Sequence, residues 1–175
     1  FEWIPYKNLD TLVFTSNTGD TDSLFLRKGK RYMDCKIDPL SPFPQDSIEK
    51  FYIPYYFSND TTKNFGNYPG ETIIAMTKTT KNKTRIGFGI VTNDAIFYGL
   101  RYFDIKELRK AKLTDLQTEL KTYNDILVIE PDTSNQKWST LDHYVLRMYW
   151  SKSDGLVRFD KNNNVQYTLT KKYGL

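Results

Sequence analysis

Hydrophobic and polar positions alternate most regularly towards the end of the chain. Tyr144, Leu146, Met148 and Trp150 interleave with Val145, Arg147, Tyr149 and Ser151, the two-residue period of a strand. The sequence SKSDG at 151–155 supplies a turn, 156–159 returns, DKNNN at 160–164 turns again, and Val165, Tyr167 and Leu169 alternate with Gln166, Thr168 and Thr170. Two hairpins in series make a β-meander, expected to form the closing wall of a sheet.

The same period runs through the earlier chain. Strands are predicted at 10–16 and 23–27, on either side of NTGDTD. Asn17, Asp20 and Asp22 could offer oxygen ligands to calcium. The spacing lacks the twelve-residue loop and closing Glu of an EF-hand, so the reading is a solvated turn whose side chains bond their own backbone. Further strands are predicted at 72–78, 84–91 and 95–102. In the second of these Ile86, Phe88 and Ile90 face one way, and Gly87 and Gly89 the other. With Asn93 and Asp94 as turn residues, Gly87 would oppose Leu100, Phe88 would oppose Gly99, and Gly89 would oppose Tyr98. Glycines inside strands mark a strong bend or a close approach to the backbone. A curved sheet or partial barrel follows, with the glycines there for curvature alone or to leave room for a ligand beside Tyr98.

One segment reads as helical. Ile105 and Leu108 fit one turn, but the step of five to Leu113 breaks the stripe, which predicts a short helix near 104–111 and then an extended segment. DILVIE at 125–130 is a strand that ends at Pro131.

Two stretches depart from the pattern. DPLSPFPQD at 38–46 carries three prolines and reads as an extended surface crossing. FYIPYYF at 51–57 is almost wholly aromatic or Ile. Pro54 removes a backbone donor, so the segment is expected at a sheet edge or as a loop over the core. Its tyrosines either cover the core or form a platform for a sugar ring or peptide.

Composition agrees with a β-rich chain. Its 175 residues suit one domain with one core, and Ala occurs only at 75, 95 and 111, whereas there are 13 Tyr and 11 Phe. The net charge of +4 comes from 25 basic and 21 acidic residues scattered along the chain, which gives nucleic-acid binding little support. Cys35, the only cysteine, has no partner for an internal disulfide and is expected to be a small buried hydrophobe. No stretch approaches eighteen apolar residues. The opening FEWIPY looks like a mature or trimmed start, which leaves open a signal or lipid anchor upstream.

Catalytic signatures are weak. A triad built on the one histidine, His143, would need a nucleophile and an acid brought to it by folding, and no nucleophile-elbow pattern occurs. Zinc would lack a second His or Cys. The GFG at 87–89 lies within a strand, not before a helix, so it is no phosphate loop. Two carboxylates meeting at glycosidase spacing would be invisible at this level. No cofactor or metal is expected.

GDTDSLFL after DTLVFTSN, then TYNDILVIE, then YWSKSDGLVRFDKNNNVQYTL, taken in that order, resemble the small, largely uncharacterised lipoproteins of Bacteroidetes. The matching positions are Tyr123, Asn124, Tyr149 to Lys152, Gly155 and Leu156. The resemblance implies export, a lipid-bearing Cys upstream, placement in the periplasm or outer membrane, and a mostly antiparallel, lipocalin-like or half-barrel sheet. It implies no activity. The resulting expectation is a single mainly β domain with one short helix and a non-catalytic binding role. An apolar, glycan or peptide ligand would lie on the concave sheet face, with Tyr52, Tyr55, Tyr56, Tyr98 and Tyr102 as its contact surface. The alternative is a structural or interaction subunit of a cell-envelope complex, with 51–57 as an exposed docking edge.

Overall fold

A computed structural model describes residues 2–7, 9–36, 46–57, 71–79, 83–92, 95–97, 99–132 and 137–174, with backbone only at Cys35, Lys36, Asp46, Ser47 and Phe57. The first half of the chain forms β1 (Thr11–Ser16), β2 (Thr21–Leu26), β3 (Lys30–Lys36), β4 (Asp46–Phe57), β5 (Thr72–Thr79) and β6 (Thr84–Phe88). The second half forms β7 (Arg101–Asp104), α1 (Ile105–Lys110), β8 (Thr114–Gln117), β9 (Thr122–Ile129), β10 (Val145–Ser151), β11 (Gly155–Lys161) and β12 (Gln166–Tyr173). The helix and the extended segment after it fall where the broken leucine stripe predicts. Asp104 starts α1 with a capping box, accepting from the Lys106 N–H while Glu107 accepts from the Asp104 N–H.

All strand pairings are antiparallel, in the order β7-β6-β5-β4-β2-β1-β12-β11-β10-β9-β8, and β3 branches off to pair with β4. Alternation decides which face is buried. In β1, Leu12 and Phe14 are buried while Thr11, Val13 and Thr15 are half-buried on the opposite face. The sheet curls strongly towards its buried face. Phe88 of β6 and Trp150 of β10 have six strands between them in the sheet order, yet their rings meet edge-on with centroids 4.8 Å apart. A short parallel bridge reinforces the curl: the Ile96 N–H donates to the His143 carbonyl and the Val145 N–H to the Ile96 carbonyl. The result is a half-barrel.

The inside of the curl is filled by the chain's own side chains. Phe14, Phe88, Trp150, Phe159 and Leu24 are almost completely buried there, each contributing about 1.5–3 kcal/mol through removal from water. The N-terminal segment adds Trp3 and Tyr6. Trp150 Nε1 donates to the Trp3 carbonyl at 3.1 Å, the Tyr6 ring lies edge-on to Trp150, and the Tyr6 hydroxyl accepts from the Leu156 N–H at 2.7 Å. Gly155, at φ +83°, makes this possible: a Cβ there would stand 2.2 Å from the Tyr6 hydroxyl.

Two sequence expectations are corrected, and one strand had no sequence expectation. The stretch 51–57 is not at an edge. It belongs to the interior strand β4, with β5 on one side and first β3, then β2, on the other. Pro54 fits because it falls at the change of partner, after the last β3 pair (Tyr52 with Lys30), before the first β2 pair (Tyr55 with Leu26), and at a bulge against β5. No ladder hydrogen bond is lost there, since a bulge leaves one residue unpaired. Next, Gly87 opposes Tyr102, two positions from the expected Leu100. The turn near Val91 and Ile96 keeps the expected register, so the two extra residues enter between Phe97 and Arg101, where Gly99 adopts φ +76°. Finally, β3 has no counterpart in the alternation, because its described side chains, from Lys30 to Asp34, are all exposed. The expected crossing at 38–46 falls almost wholly outside the described residues, as does the Cys35 side chain.

Candidate functional site

The five tyrosines singled out from the sequence do not share one surface. Tyr55 points into the core and is 1% exposed. Its hydroxyl donates to the Val91 carbonyl at 2.8 Å and accepts from the Val91 N–H, tying β4 to the segment after β6, and burial pushes the phenol well above its ordinary pKa. Tyr56 faces outward and is spoken for: it stacks on Phe25 at 5.4 Å, with the Arg27 guanidinium 4.5 Å from its ring centre. Tyr98 lies outside the described residues. Only Tyr52 and Tyr102 come together, and they do so on the outer face. With the concave face packed, the candidate binding surface moves to the convex side of β3–β7.

Strand register builds that surface in two rows. One row crosses the sheet as Lys30, Tyr52, Ala75, Gly87 and Tyr102, and the next as Tyr32, Lys50, Thr77, Arg85 and Asp104. Tyr52 and Tyr102 are thus separated by the two smallest side chains in the row. Three strand spacings, about 14 Å of backbone, leave a trough walled by phenols at either end. Tyr102 leans into it, covering Gly87 closely enough that a Cβ there would meet its ring at 2.6 Å. Tyr32, 45% exposed, meets Tyr52 edge-on with centroids 5.7 Å apart. Lys50 completes the rim, its ammonium 5.5 Å from the Tyr32 ring centre. The depression enclosed by Tyr32, Lys50, Tyr52, Ala75, Thr77 and Tyr102 is about 140 Å³.

The lining of the depression itself is close to neutral, with Lys30 and Arg85 further out along the two rows. Lys50 donates to Asp34 at 2.8 Å, and that hydrogen bond raises the Lys50 pKa, so the ammonium stays charged and paired. Burial raises the Tyr102 pKa against the opposing pull of Lys50, which keeps its hydroxyl protonated and able to donate. The arrangement offers aromatic faces, phenolic and threonine hydroxyls and one paired cation. It can stack a ring and hydrogen-bond its edge, and it holds no nucleophile beside a base. Tyr32 and Lys50 are not among the residues read from the sequence. The usable signal was the outward alternation of Lys50 and Tyr52 against Phe51 and Ile53, and the strand partner that carries Tyr32 was missed.

Two other polar clusters are occupied in structure. The Asp125 carboxylate accepts from the Ser151 hydroxyl and the Lys152 N–H, holding the β10–β11 turn. In NTGDTD, the Ser16 hydroxyl accepts from the N–H groups of Thr18 and Asp20, and the Thr18 hydroxyl donates to Asp20. Among the described residues no three His, Cys, Asp or Glu side chains converge on a metal position. The described helix is too short and too polar to cross a membrane. No family model matches the chain, and neither curated proteins nor solved structures yield a similar one.

Proposed function

We propose that the chain is a non-catalytic binding module that takes one ring of a glycan, or one aromatic side chain of a peptide, on the outer face of β3–β7. The observation that carries this reading is the Tyr32, Tyr52 and Tyr102 frame around the Ala75–Gly87 floor. Size narrows the ligand. Enclosed small-molecule sites run to roughly 300–1,000 Å³, so a depression of about 140 Å³ suits a single ring of a longer chain. The near-neutral lining favours uncharged rings. Export and an upstream lipid anchor belong to the same proposal and rest on the resemblance carried by YWSKSDGL and its neighbours. The module would then sit in the periplasm or on the outer membrane, facing glycans, peptides or envelope proteins.

The test is an amide-resolved NMR titration of the protein with neutral hexose oligomers and with short tyrosine- and tryptophan-bearing peptides. Saturable shifts at Tyr32, Tyr52, Ala75 and Tyr102 that vanish in Tyr102→Ala support the reading. Absence of shifts there across the panel overturns it.

A second reading, an interaction subunit, is favoured by β3. It pairs only with β4 among the described strands, and it exposes Met33 at 64% beside Tyr32. Peptide-induced shifts confined to the β3 backbone would select it.

A further inference from the structure

A larger hollow lies elsewhere, where the β8–β9 turn stands beside the outer sides of β1 and β12. It measures about 460 Å³, inside the range of ligand sites. Its lining residues nearly all carry a hydroxyl or an amide, with their carbon stems and Leu169 supplying the rest of the wall. Thr15, Thr168 and Thr170 come from the strands and Gln166 from the start of β12; Thr118 and Glu119 come from the turn. By alternation with buried Phe14, Tyr167 and Leu169, these strand residues face away from the core.

The walls are held in place by their own hydrogen bonds. The hydroxyls of Thr15 and Thr170 meet at 3.0 Å, and Thr170 also donates to the Val13 carbonyl. The Thr118 hydroxyl donates to the Lys121 carbonyl at 2.9 Å, fixing the turn. Three groups remain unused among the described residues: the Gln166 amide, the Thr168 hydroxyl and the Glu119 carboxylate. Together they present donors and acceptors beside walls that are already tied, so a polar ligand has to order few groups on binding.

The lining also excludes other ligand classes. No Lys or Arg lines the hollow to hold an anion, no aromatic ring offers an apolar floor, and one carboxylate is too few for a divalent cation. We infer that this hollow is a second binding site, for a neutral polyhydroxylated chain such as a hexose oligomer, held by hydrogen bonds to Gln166, Thr168 and Glu119 without ring stacking. It does not depend on the tyrosine patch. Tyr52 lies four residues from Tyr56, which aligns through Phe25 with Thr11, and Thr15 lies four residues further on, so the two sites are roughly 25 Å apart along the strands.

The test is an amide-resolved NMR titration with α- and β-linked hexose hexamers, on the protein, on Gln166→Leu/Thr168→Val and on Tyr102→Ala. Thr168→Val keeps a β-branched strand residue, so the variant loses the hydroxyl and little else. Saturable shifts at Gln166, Thr168 and Glu119, weakened about tenfold in the double variant and unchanged in Tyr102→Ala, are expected. The inference is overturned if those amides do not move with any hexamer, or if their shifts survive the double variant. Shifts confined to Tyr32, Tyr52 and Tyr102 would also overturn it while leaving the tyrosine patch standing, and shifts confined to the hollow would do the reverse.

Discussion

The Tyr102 ring lies over the α-carbon of Gly87, within the space a β-carbon would occupy. The pair accounts for both residues: glycine inside a strand is costly, and a cross-strand aromatic ring recovers part of the loss by covering it. Tyr102 is 41% exposed on a strand of four residues, so its ring can swing outward. Gly87→Ala is therefore expected to leave stability within about 1 kcal/mol of the parent, the gain in strand propensity offsetting the displaced ring. The trough should lose its wall, and ring-bearing ligands should weaken as they do in Tyr102→Ala. Thermal melting and the NMR titration run together would check this, and a large loss of stability would refute it.

Tyr55 predicts the opposite separation. Its hydroxyl satisfies both the N–H and the carbonyl of Val91 from inside the core. Tyr55→Phe leaves those groups unpaired and should cost about 1–3 kcal/mol in denaturant unfolding, with ligand binding unchanged.

The contact of Tyr6 with Gly155 gives a non-additive pair. Gly155→Ala combines a left-handed backbone angle with a clash against the Tyr6 hydroxyl and should cost roughly 2–5 kcal/mol. Tyr6→Phe should cost about 1–3 kcal/mol by orphaning the Leu156 N–H. Since Gly155→Ala already displaces that ring, the double variant should fall well short of the sum, as a denaturation cycle would show.

Alkaline pH should unfold the chain through its phenols. Burial is the leading cause that raises the pKa of Tyr6, Tyr55, Tyr102, Tyr123, Tyr144 and Tyr149, with Tyr123 pushed up to about 12. A group whose folded pKa lies above its unfolded value leaves stability intact below the unfolded pKa, here 10.0. That stability is lost as pH rises towards the folded pKa. Lys172 works against this loss. Burial lowers its pKa, with Asp10 and Asp154 opposing, so its contribution rises as pH climbs from the lowered value towards the ordinary 10.5. Stability measured against pH should fall above about 10, and the fall should be steeper in Lys172→Met.

What was legible in the sequence follows the physics of alternation. The strands from 145 to 173 and the strongly curved sheet were readable because one face of each strand is buried, which imposes the two-residue period. The strand β3 was not, since KRYMDCK lies where burial imposes no period on its described side chains. The interior position of FYIPYYF was hidden because the effect of Pro54 depends on where two other strands start and stop, which is a long-range property. The same limit explains the site. Tyr52 and Tyr102 were singled out, but their neighbour Tyr32 enters through β3, and the two-residue slip near Gly99 decides which residue covers Gly87.

The place of β1 in the sheet also sets an order of events. Thr11 is paired with Tyr173, the two strands that meet being nearly the first and the last. At translation rates of about 5–20 residues per second, β1 waits on the order of ten to thirty seconds for β12 to be made. During that interval the β1–β2 ribbon carries Leu12, Phe14, Leu24 and Leu26 with no opposing wall. The half-barrel can therefore close only when synthesis of this region is almost finished, and closing it depends on contacts far apart in sequence.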